Sequence, residues 1–204
     1  MATSLIYKNA SLYELAMLLL YGRHYASRYR AIAELIPSGS SVLDLCCGPA
    51  LLYHRYLRAK AVKYTGLDIN AKFIERLVRK GGSGRVLDLR TDEPFPSADY
   101  AIMQASLYHF LPDPSNIVDR MLRAARRQVI IAEPIRNLAD SNSRLVAAIG
   151  RWFTNPGTGE PHLRFNEASL AKFFSTYRSN VVQSFPIAGG REKVYVLNAK
   201  APSL

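Results

Sequence analysis

The sequence is poor in cysteine, and its two cysteines are neighbours. Cys46 and Cys47 are the only ones among 204 residues. This argues against a disulfide framework and predicts a reducing compartment. Adjacent thiols do not close easily on one tetrahedral metal ion, and the sequence has no C-x-x-C or H-E-x-x-H motif. We therefore predict no metal site.

Long apolar runs are also missing. Near the N-terminus the longest extends from Leu15 to Tyr21, and Glu14 precedes it. A membrane-spanning helix needs roughly 20 apolar residues, and a secretory signal peptide combines a basic start with an unbroken apolar core. The sequence therefore predicts a cytoplasmic protein.

Acidic residues are scarce relative to basic ones. The chain has 16 Asp and Glu against 27 Lys and Arg, a formal net charge of +11. The excess indicates either an arginine-rich soluble surface or a polyanionic partner, such as nucleic acid, an anionic membrane surface or an acidic substrate. The basic residues are interpreted as scattered, since the sequence shows no lysine tail and no basic patch with interleaved aromatic residues.

Apolar strands and amphipathic helices alternate through the middle of the chain. The predicted strands are 41–45, 62–69, 85–89, 99–104 and 128–132, and the predicted helices are 11–36, about 50–59, Asn70 to Gly81, and a helix opening at Pro112–Pro114. Strict alternation of this kind predicts a doubly wound parallel sheet.

After Pro134 the pattern changes. Residues 138–153 have a helical pattern, 155–161 form a glycine-rich loop, and Asn166 is a candidate N-cap for a helix through Tyr177. Two strands, 181–187 and 194–199, are joined by a short turn, which predicts an antiparallel hairpin. The predicted fold is α/β: a doubly wound seven-stranded sheet, mostly parallel with an antiparallel C-terminal strand, and helices on both faces.

The most informative stretch is Val-Leu-Asp-Leu-Cys-Cys-Gly-Pro-Ala at 42–50. Here an apolar strand ends near Asp44, small residues follow, and a helix begins. Ligands of parallel α/β sheets bind at the carboxyl ends of strands, and small residues in the turn let a ligand approach the backbone. The stretch therefore predicts a cofactor site. It fits a dinucleotide motif poorly, because aligning Gly48 with the middle glycine of G-x-G-x-x-G places Cys46 and Leu51 at the outer positions.

The same stretch resembles the first motif of class I S-adenosylmethionine-dependent methyltransferases, an acid followed by G-x-G-x-G. Further segments resemble the later motifs of that family in order: Tyr64–Asn70, Val86–Leu89, Ala98–Gln104 with Leu107–Phe110, and 129–134 as the fifth strand. The terminal hairpin resembles the family's reversed seventh strand. The resemblance extends over residues 38–133 and more loosely over the tail. It implies the cofactor S-adenosyl-L-methionine and the product S-adenosyl-L-homocysteine.

The resemblance implies a role for each acid of these motifs. Asp68 lies 24 residues beyond Asp44, near the ~20-residue offset at which an acid meets ribose hydroxyls in dinucleotide folds, and is predicted to accept hydrogen bonds from the ribose. Asp88 is predicted to accept from the adenine amino group while the N–H of Leu89 donates to a ring nitrogen. Asp44 is predicted to orient the turn and to reach the amino group of the cofactor. The other predicted cofactor contacts are Cys46, Gly48, Ile69 and Gln104.

Each of these roles has an alternative. Asp68 would also suit the N-terminus of the following helix as an exposed acid, Asp88 a turn, and Gln104 a strand end that faces water. Cys46 and Ala50 stand where the family has glycine, and neither tolerates a positive φ as glycine does. This departure predicts a slightly reshaped pocket or a lowered cofactor affinity.

Methyl transfer is an in-line displacement in which the protein mainly positions cofactor and nucleophile. A base is needed only where the acceptor loses a proton. His109 is the first catalytic candidate because its pKa suits proton transfer near neutrality, and Tyr108 and Glu133 are the next. The alternative for His109 is a packed residue or one that shapes the substrate pocket.

The end of the fourth strand, Gln104-Ala-Ser-Leu, resembles small-molecule enzymes because it lacks an Asn-Pro-Pro-Tyr type of motif. The first hypothesis is therefore a methyltransferase for a small molecule or a lipid-type intermediate, with an anionic substrate as one option. The second is an RNA-modifying methyltransferase with a nucleic acid partner. The third is a non-catalytic scaffold that keeps the fold without the cofactor. The basic amphipathic N-terminus leaves peripheral membrane contact open.

We predict one methyltransferase domain over residues 1–204. Its parts are an N-terminal helical cap (1–37), the cofactor-binding core (38–133), a substrate lid (134–165), and a C-terminal helix and hairpin (166–204). The glycine-rich segment 155–161 is the part of the lid expected to move.

Overall fold

The computed structural model describes Leu18, residues 22–136 and residues 163–199. Seven strands form one sheet: β1 (Ser41–Leu45), β2 (Lys63–Asp68), β3 (Ser83–Val86), β4 (Ala98–Gln104), β5 (Ala125–Pro134), β6 (Val181–Pro186) and β7 (Glu192–Asn198). The described helices are α1 (Tyr25–Glu34), α2 (a π-helical turn at Tyr53–Leu57 and a 3-10 turn at Arg58–Lys60), α3 (Ala71–Arg79), α4 (Ser115–Ala124) and α5 (Glu167–Ser175). Short 3-10 turns lie at Gly22–His24 and Leu107–Phe110.

The strand order is β3-β2-β1-β4-β5-β7-β6. The first five strands are parallel, β7 runs antiparallel to both β5 and β6, and the hairpin between β6 and β7 is confirmed. The chain moves outward from β1 to β3 and then returns to the other side of β1 at β4. This is the point at which α/β sheets bind ligands, beyond the carboxyl ends of their strands. The predicted fold class is confirmed.

Helices cover both faces of the sheet because alternate strand residues point to opposite sides. On one face, strand residues such as Val42 and Ile102 pack with α1, α2 and α3 through Ile32, Leu57 and Leu77. On the other face, strand residues such as Leu43, Leu45 and Met103 pack with α4 and α5 through Val118, Met121 and Phe174. Burial on both faces explains why the central strands are almost continuously apolar.

Two predicted helix starts are confirmed by their caps. The Asn70 side chain accepts a hydrogen bond from the Lys72 N–H at 3.1 Å, so α3 begins directly after β2. Asn166 and Ser169 form a reciprocal capping box at the start of α5. Caps of this kind satisfy N–H groups that a helix leaves unpaired at its first turn.

Some predicted bounds are wrong. The third strand is Ser83–Val86 instead of 85–89, because Asp88 forms a turn: its side chain accepts from Arg90 N–H and its carbonyl accepts from Thr91 N–H. The fifth strand is longer than 128–132 and reaches Pro134, since β7 pairs with it as far as Glu192. The helix expected at Pro112–Pro114 begins at Ser115.

Several predictions lie outside the described residues. They concern the first part of the N-terminal cap, the helix at 138–153 and the loop at 155–161. Among the residues that are described, no helix combines the length and the apolar character needed to cross a membrane.

Candidate cofactor site

A cavity of about 400 Å³ opens at the carboxyl ends of β1, β2 and β4. Its wall contains all eight residues predicted to contact the cofactor: Asp44, Cys46, Gly48, Asp68, Ile69, Asp88, Leu89 and Gln104. Tyr108 and His109 line the same cavity, whereas Glu133 does not. The topology therefore brings together motifs that are spread over sixty residues of sequence. Their contact with a cofactor stays a prediction.

The turn after β1 has an unusual backbone. Cys46, Gly48 and Ala50 have φ values of 55°, 53° and 53°, in the left-handed region that glycine adopts freely. The two departures from the glycine pattern therefore keep the glycine-like conformation while carrying a Cβ, which costs roughly 1–2 kcal/mol for each residue. A side chain at Gly48 would meet no atom within 4 Å, so open space lies in front of this turn.

Asp68 joins the turn after β1 to the start of α3. One carboxylate oxygen accepts from Gly48 N–H at 2.8 Å, and the other accepts from Asn70 N–H at 2.8 Å. Burial raises the pKa of Asp68, and these two hydrogen bonds oppose that rise. A carboxylate offers about four lone-pair sites, so two remain for hydroxyl donors in the cavity. Ile69, the next residue, exposes 63% of its surface beside it.

Asp44 lies deeper in the site than Asp68. Its carboxyl accepts a hydrogen bond from the Tyr64 hydroxyl at 2.7 Å, and both side chains are buried. Burial, together with the negative charge of Asp68, raises the pKa of Asp44 to about 7, although the hydrogen bond from Tyr64 opposes the rise. Sequence reasoning predicted that Asp44 orients the turn but gave no role to Tyr64, which stands at the start of the Tyr64–Asn70 segment on the neighbouring strand.

Asp88 occupies the turn beyond β3. The turn is closed by Asp88 itself, whose carboxyl oxygen lies 3.0 Å from the Arg90 nitrogen that donates to it. The Arg90 guanidinium is 4.0 Å from this carboxylate, and both side chains are largely exposed. Asp88 therefore closes a turn, as the alternative from the sequence predicted. It also lies on the cavity wall.

A second turn, after β4, carries Tyr108 and His109. Ala105 in this turn also has a left-handed φ of 51°. Beneath it, one oxygen of Glu133 accepts from the N–H groups of Ser106 and Leu107 at 2.6 and 2.7 Å. Glu133 is 1% exposed, and burial raises its pKa to about 8. Of the three predicted catalytic residues, Glu133 therefore supports the turn from below, and the other two face the cavity.

Helix α1 closes the side of the cavity next to β4. Arg28 and Tyr29 line the wall, and the Gln104 amide donates to the Arg28 carbonyl at 3.2 Å. The Arg28 guanidinium forms a buried ion pair with Glu192 of β7 at 2.8 Å. Sequence reasoning missed both members of this pair, because the partners are 164 residues apart and no local pattern connects them.

The side chains around the cavity offer no obvious metal site. No group of three or more His, Cys, Asp and Glu residues is arranged to hold an ion within the described ranges. Burial raises the pKa of the Cys46 and Cys47 thiols above their ordinary value, which disfavours the thiolates that metals and electrophiles require.

Solved structures with the same fold include several methyltransferases. Magnesium protoporphyrin IX methyltransferase from Synechocystis PCC 6803, solved with bound SAH, is 15% identical, with a TM-score of 0.63 over 95% of this chain and 96% of that chain. A TehB-like SAM-dependent methyltransferase from Corynebacterium glutamicum is 17% identical, with a TM-score of 0.56 over 85% and 88%. An O-methyltransferase family 2 protein from Planctomyces limnophilus in complex with apigenin is 18% identical, with a TM-score of 0.60 over 91% and 60%.

The fold is thus that of the class I S-adenosylmethionine-dependent methyltransferases. A comparison with curated protein sequences gives no match. The family model described as methionine biosynthesis protein MetW matches residues 26–151, more than half of the chain. The chain therefore belongs to the MetW family.

Proposed function

We propose that this protein is an S-adenosylmethionine-dependent methyltransferase that acts on a small molecule or a lipid-type intermediate. The observation that carries the proposal is Asp68, a buried carboxylate fixed by two backbone N–H groups at the edge of the cavity. Bound S-adenosylmethionine supplies an electrophilic methyl group. The chain's own residues bind it, orient the acceptor and exclude water.

The side chains fit this cofactor in size and chemistry. Asp68 has acceptor sites left for the two ribose hydroxyls, and exposed Ile69 offers an apolar surface for the adenine ring. In the proposal, Asp88, which lines the same cavity, accepts from the adenine amino group. Gly48 leaves open space in front of the turn for the methionine part. The relatives solved with SAH or described as SAM-dependent support the same choice of cofactor.

The β4 side of the cavity is the proposed acceptor site. Tyr108 and His109 line it together with Arg28 and Tyr29 of α1. In the proposal, His109 takes the proton when the acceptor loses one, and Tyr108 shapes the pocket. The apigenin complex and the porphyrin enzyme among the relatives support an organic small molecule. The predicted cytoplasmic location belongs to this proposal and is supported by the lack of a cysteine framework in the sequence.

The first test is cofactor binding by calorimetry with S-adenosylmethionine and S-adenosylhomocysteine. We expect both to bind, and Asp68→Ala to weaken binding about ten- to a hundredfold, because it removes hydrogen bonds from a charged acceptor. Glu75→Ala, which removes an exposed acid on α3, is the matched control and is expected to bind normally. No binding of either ligand by the unaltered protein would end the proposal.

A non-catalytic scaffold is the second candidate, because Cys46 and Ala50 carry a Cβ in left-handed positions of the turn. The two candidates differ in one measurement. A methyltransferase binds the cofactor, and Asp68→Ala lowers that affinity. A scaffold of this kind does not bind the cofactor, so the substitution changes nothing.

A further inference from the structure

The positive charge of this protein is concentrated in one segment. Residues 54–85 contain nine Lys and Arg against two acids, which is a net +7 of the +11 carried by the whole chain. One of the two acids, Asp68, is buried in the cofactor site. The interpretation that the basic residues are scattered is therefore wrong, because their excess belongs to α2, β2, α3 and β3.

The centre of this segment lies away from the cavity. Arg58 begins the last turn of α2 and Lys80 follows α3, at the ends of these helices that lead back to the amino ends of β2 and β3. The Lys60 carbonyl accepts from Gly39 N–H just before β1, which places the end of α2 at the same edge of the sheet. The cavity wall includes neither Arg58 nor Lys80. These cations therefore do not contact a ligand in the cofactor site.

His54 on α2 lies among these cations. Its Nε2 atom is buried and has no hydrogen-bond partner in the described structure. Burial lowers the pKa of His54, and the charges of Lys80, Arg58 and Arg76 lower it further, with no acid among the groups that act on it. Arg58 is one helical turn from His54, and Arg76 and Lys80 are one turn apart on α3. A Cβ placed at Gly82, just after α3, would lie 3.2 Å from the ring of Tyr53, the neighbour of His54, so the end of α3 lies against this part of α2.

These cations lack the acidic partners that other arginines of the chain have. Arg85 pairs with Glu93, and Arg126 pairs with Asp99. In the described ranges no carboxylate lies within 4.0 Å of Arg58, Arg76 or Lys80. Favourable interaction with helix C-termini accounts for cations at these positions, but it does not account for the buried imidazole nitrogen without a partner.

We propose that His54, Arg58, Arg76 and Lys80 form a binding site for a phosphoryl group, separate from the cofactor cavity. A dianion matches three cations and one imidazole better than a single carboxylate does. Arginine binds phosphate oxygens through paired N–H groups, and lysine binds them as a point charge. The Nε2–H of His54, which neighbouring side chains cover in this structure, would donate the remaining hydrogen bond once those side chains turn towards the anion. The phosphoryl group belongs either to a free phosphorylated small molecule or to the backbone of a nucleic acid.

Proton NMR of the histidine rings tests this site, because the chain has only four histidines. Inorganic phosphate is added near neutral pH at constant ionic strength. We expect saturable shifts of the His54 signals and a higher His54 pKa in the bound state, since the anion offsets the three nearby cations. Arg58→Gln and Arg76→Gln are each expected to weaken binding about tenfold through the loss of a charge-assisted hydrogen bond.

Arg79→Gln is the matched control, since Arg79 is an exposed arginine of α3 that does not act on the pKa of His54. It is expected to bind phosphate normally. A short RNA duplex is added in a second arm: competition with phosphate identifies a nucleic acid backbone as the source, and the absence of competition identifies a small phosphorylated molecule. Shifts that do not saturate with either probe, or that are equal in all variants, would overturn the site.

Discussion

The two sides of the cavity are held together differently. On the β1–β3 side, Asp44, Gly48, Asp68 and Asp88 lie at the carboxyl ends of consecutive strands or in the turns that follow them, and their hydrogen-bond partners are at most 20 residues away in sequence. On the β4 side, the wall depends on distant segments: Arg28 of α1 pairs with Glu192 of β7, and Glu133 supports the turn after β4. The first side is therefore determined by local motifs and the second by tertiary packing.

The largest effect is expected from the ion pair on the β4 side. Arg28→Ala leaves the Glu192 carboxylate, 1% exposed, without its guanidinium, and we expect a loss of roughly 3–5 kcal/mol in the free energy of unfolding. Urea denaturation measures it. Replacing both partners, as Arg28→Met with Glu192→Leu, is expected to restore most of the loss because no buried charge is left. A loss below about 1 kcal/mol in the single variant would show that α1 is held by other contacts.

A smaller effect is expected at Glu133. Glu133→Ala leaves the Ser106 and Leu107 N–H groups without their acceptor, and we expect a loss of about 2–3 kcal/mol in stability together with weaker acceptor binding. Glu133→Gln keeps an oxygen acceptor of the same shape and is expected to retain stability and turnover near neutral pH. Loss of turnover in Glu133→Gln with intact folding would instead assign Glu133 a role in proton transfer.

The unaltered protein and the Glu133→Gln variant also give a test by pH. Because the folded-state pKa of Glu133 is raised from 4.5 to about 8, the folded state binds more protons than the unfolded state between these values. Stability contributed by this group therefore falls as pH rises through that window, with a slope of at most about 1.4 kcal/mol per pH unit. Glu133→Gln is expected to flatten the measured dependence. An unchanged slope would contradict the raised pKa.

The smallest effect is expected on the β1–β3 side, at Cys46. Cys46→Gly removes a Cβ from a left-handed position, which saves roughly 1–2 kcal/mol, but glycine loses more conformational freedom on folding. We expect a net stabilisation of up to about 1 kcal/mol and equal or tighter cofactor binding, measured by thermal unfolding and calorimetry. Destabilisation beyond that margin would show that packing of the thiol outweighs the strained backbone.

The sequence predicted local features better than distant ones. The alternation of strands and helices, the Asn70 and Asn166 caps and the terminal hairpin all follow from short patterns, and the structure confirms them. The bounds of β3 were wrong because a single Asp88 turn ended the strand, which apolar content does not reveal. The carboxyl end of β5, Glu133-Pro134, was missed because it pairs with β7, more than fifty residues later in the chain.

The candidate site shows the same difference between residues predicted from local patterns and residues that depend on distant segments. The eight predicted cofactor residues meet in one cavity because each lies at, or just beyond, the carboxyl end of a strand in the parallel part of one sheet. Tyr64, Arg28 and Glu192 were missed, because a buried tyrosine or a buried ion pair has no signature until the strands are placed side by side. The Glu133 position was recognised, but its burial beneath the turn was visible only in the fold.

The charge on α2 and α3 also makes the charge distribution of the described ranges uneven. With +7 in residues 54–85 and a slight excess of acids in residues 86–136, the protein turns in the field of an anionic body before any contact is made. We therefore expect α2 and α3 to be the first part of the protein to approach an anionic body, such as the matrix of a cation exchanger. The mouth of the cavity then points elsewhere and stays open to small molecules that diffuse from the solvent.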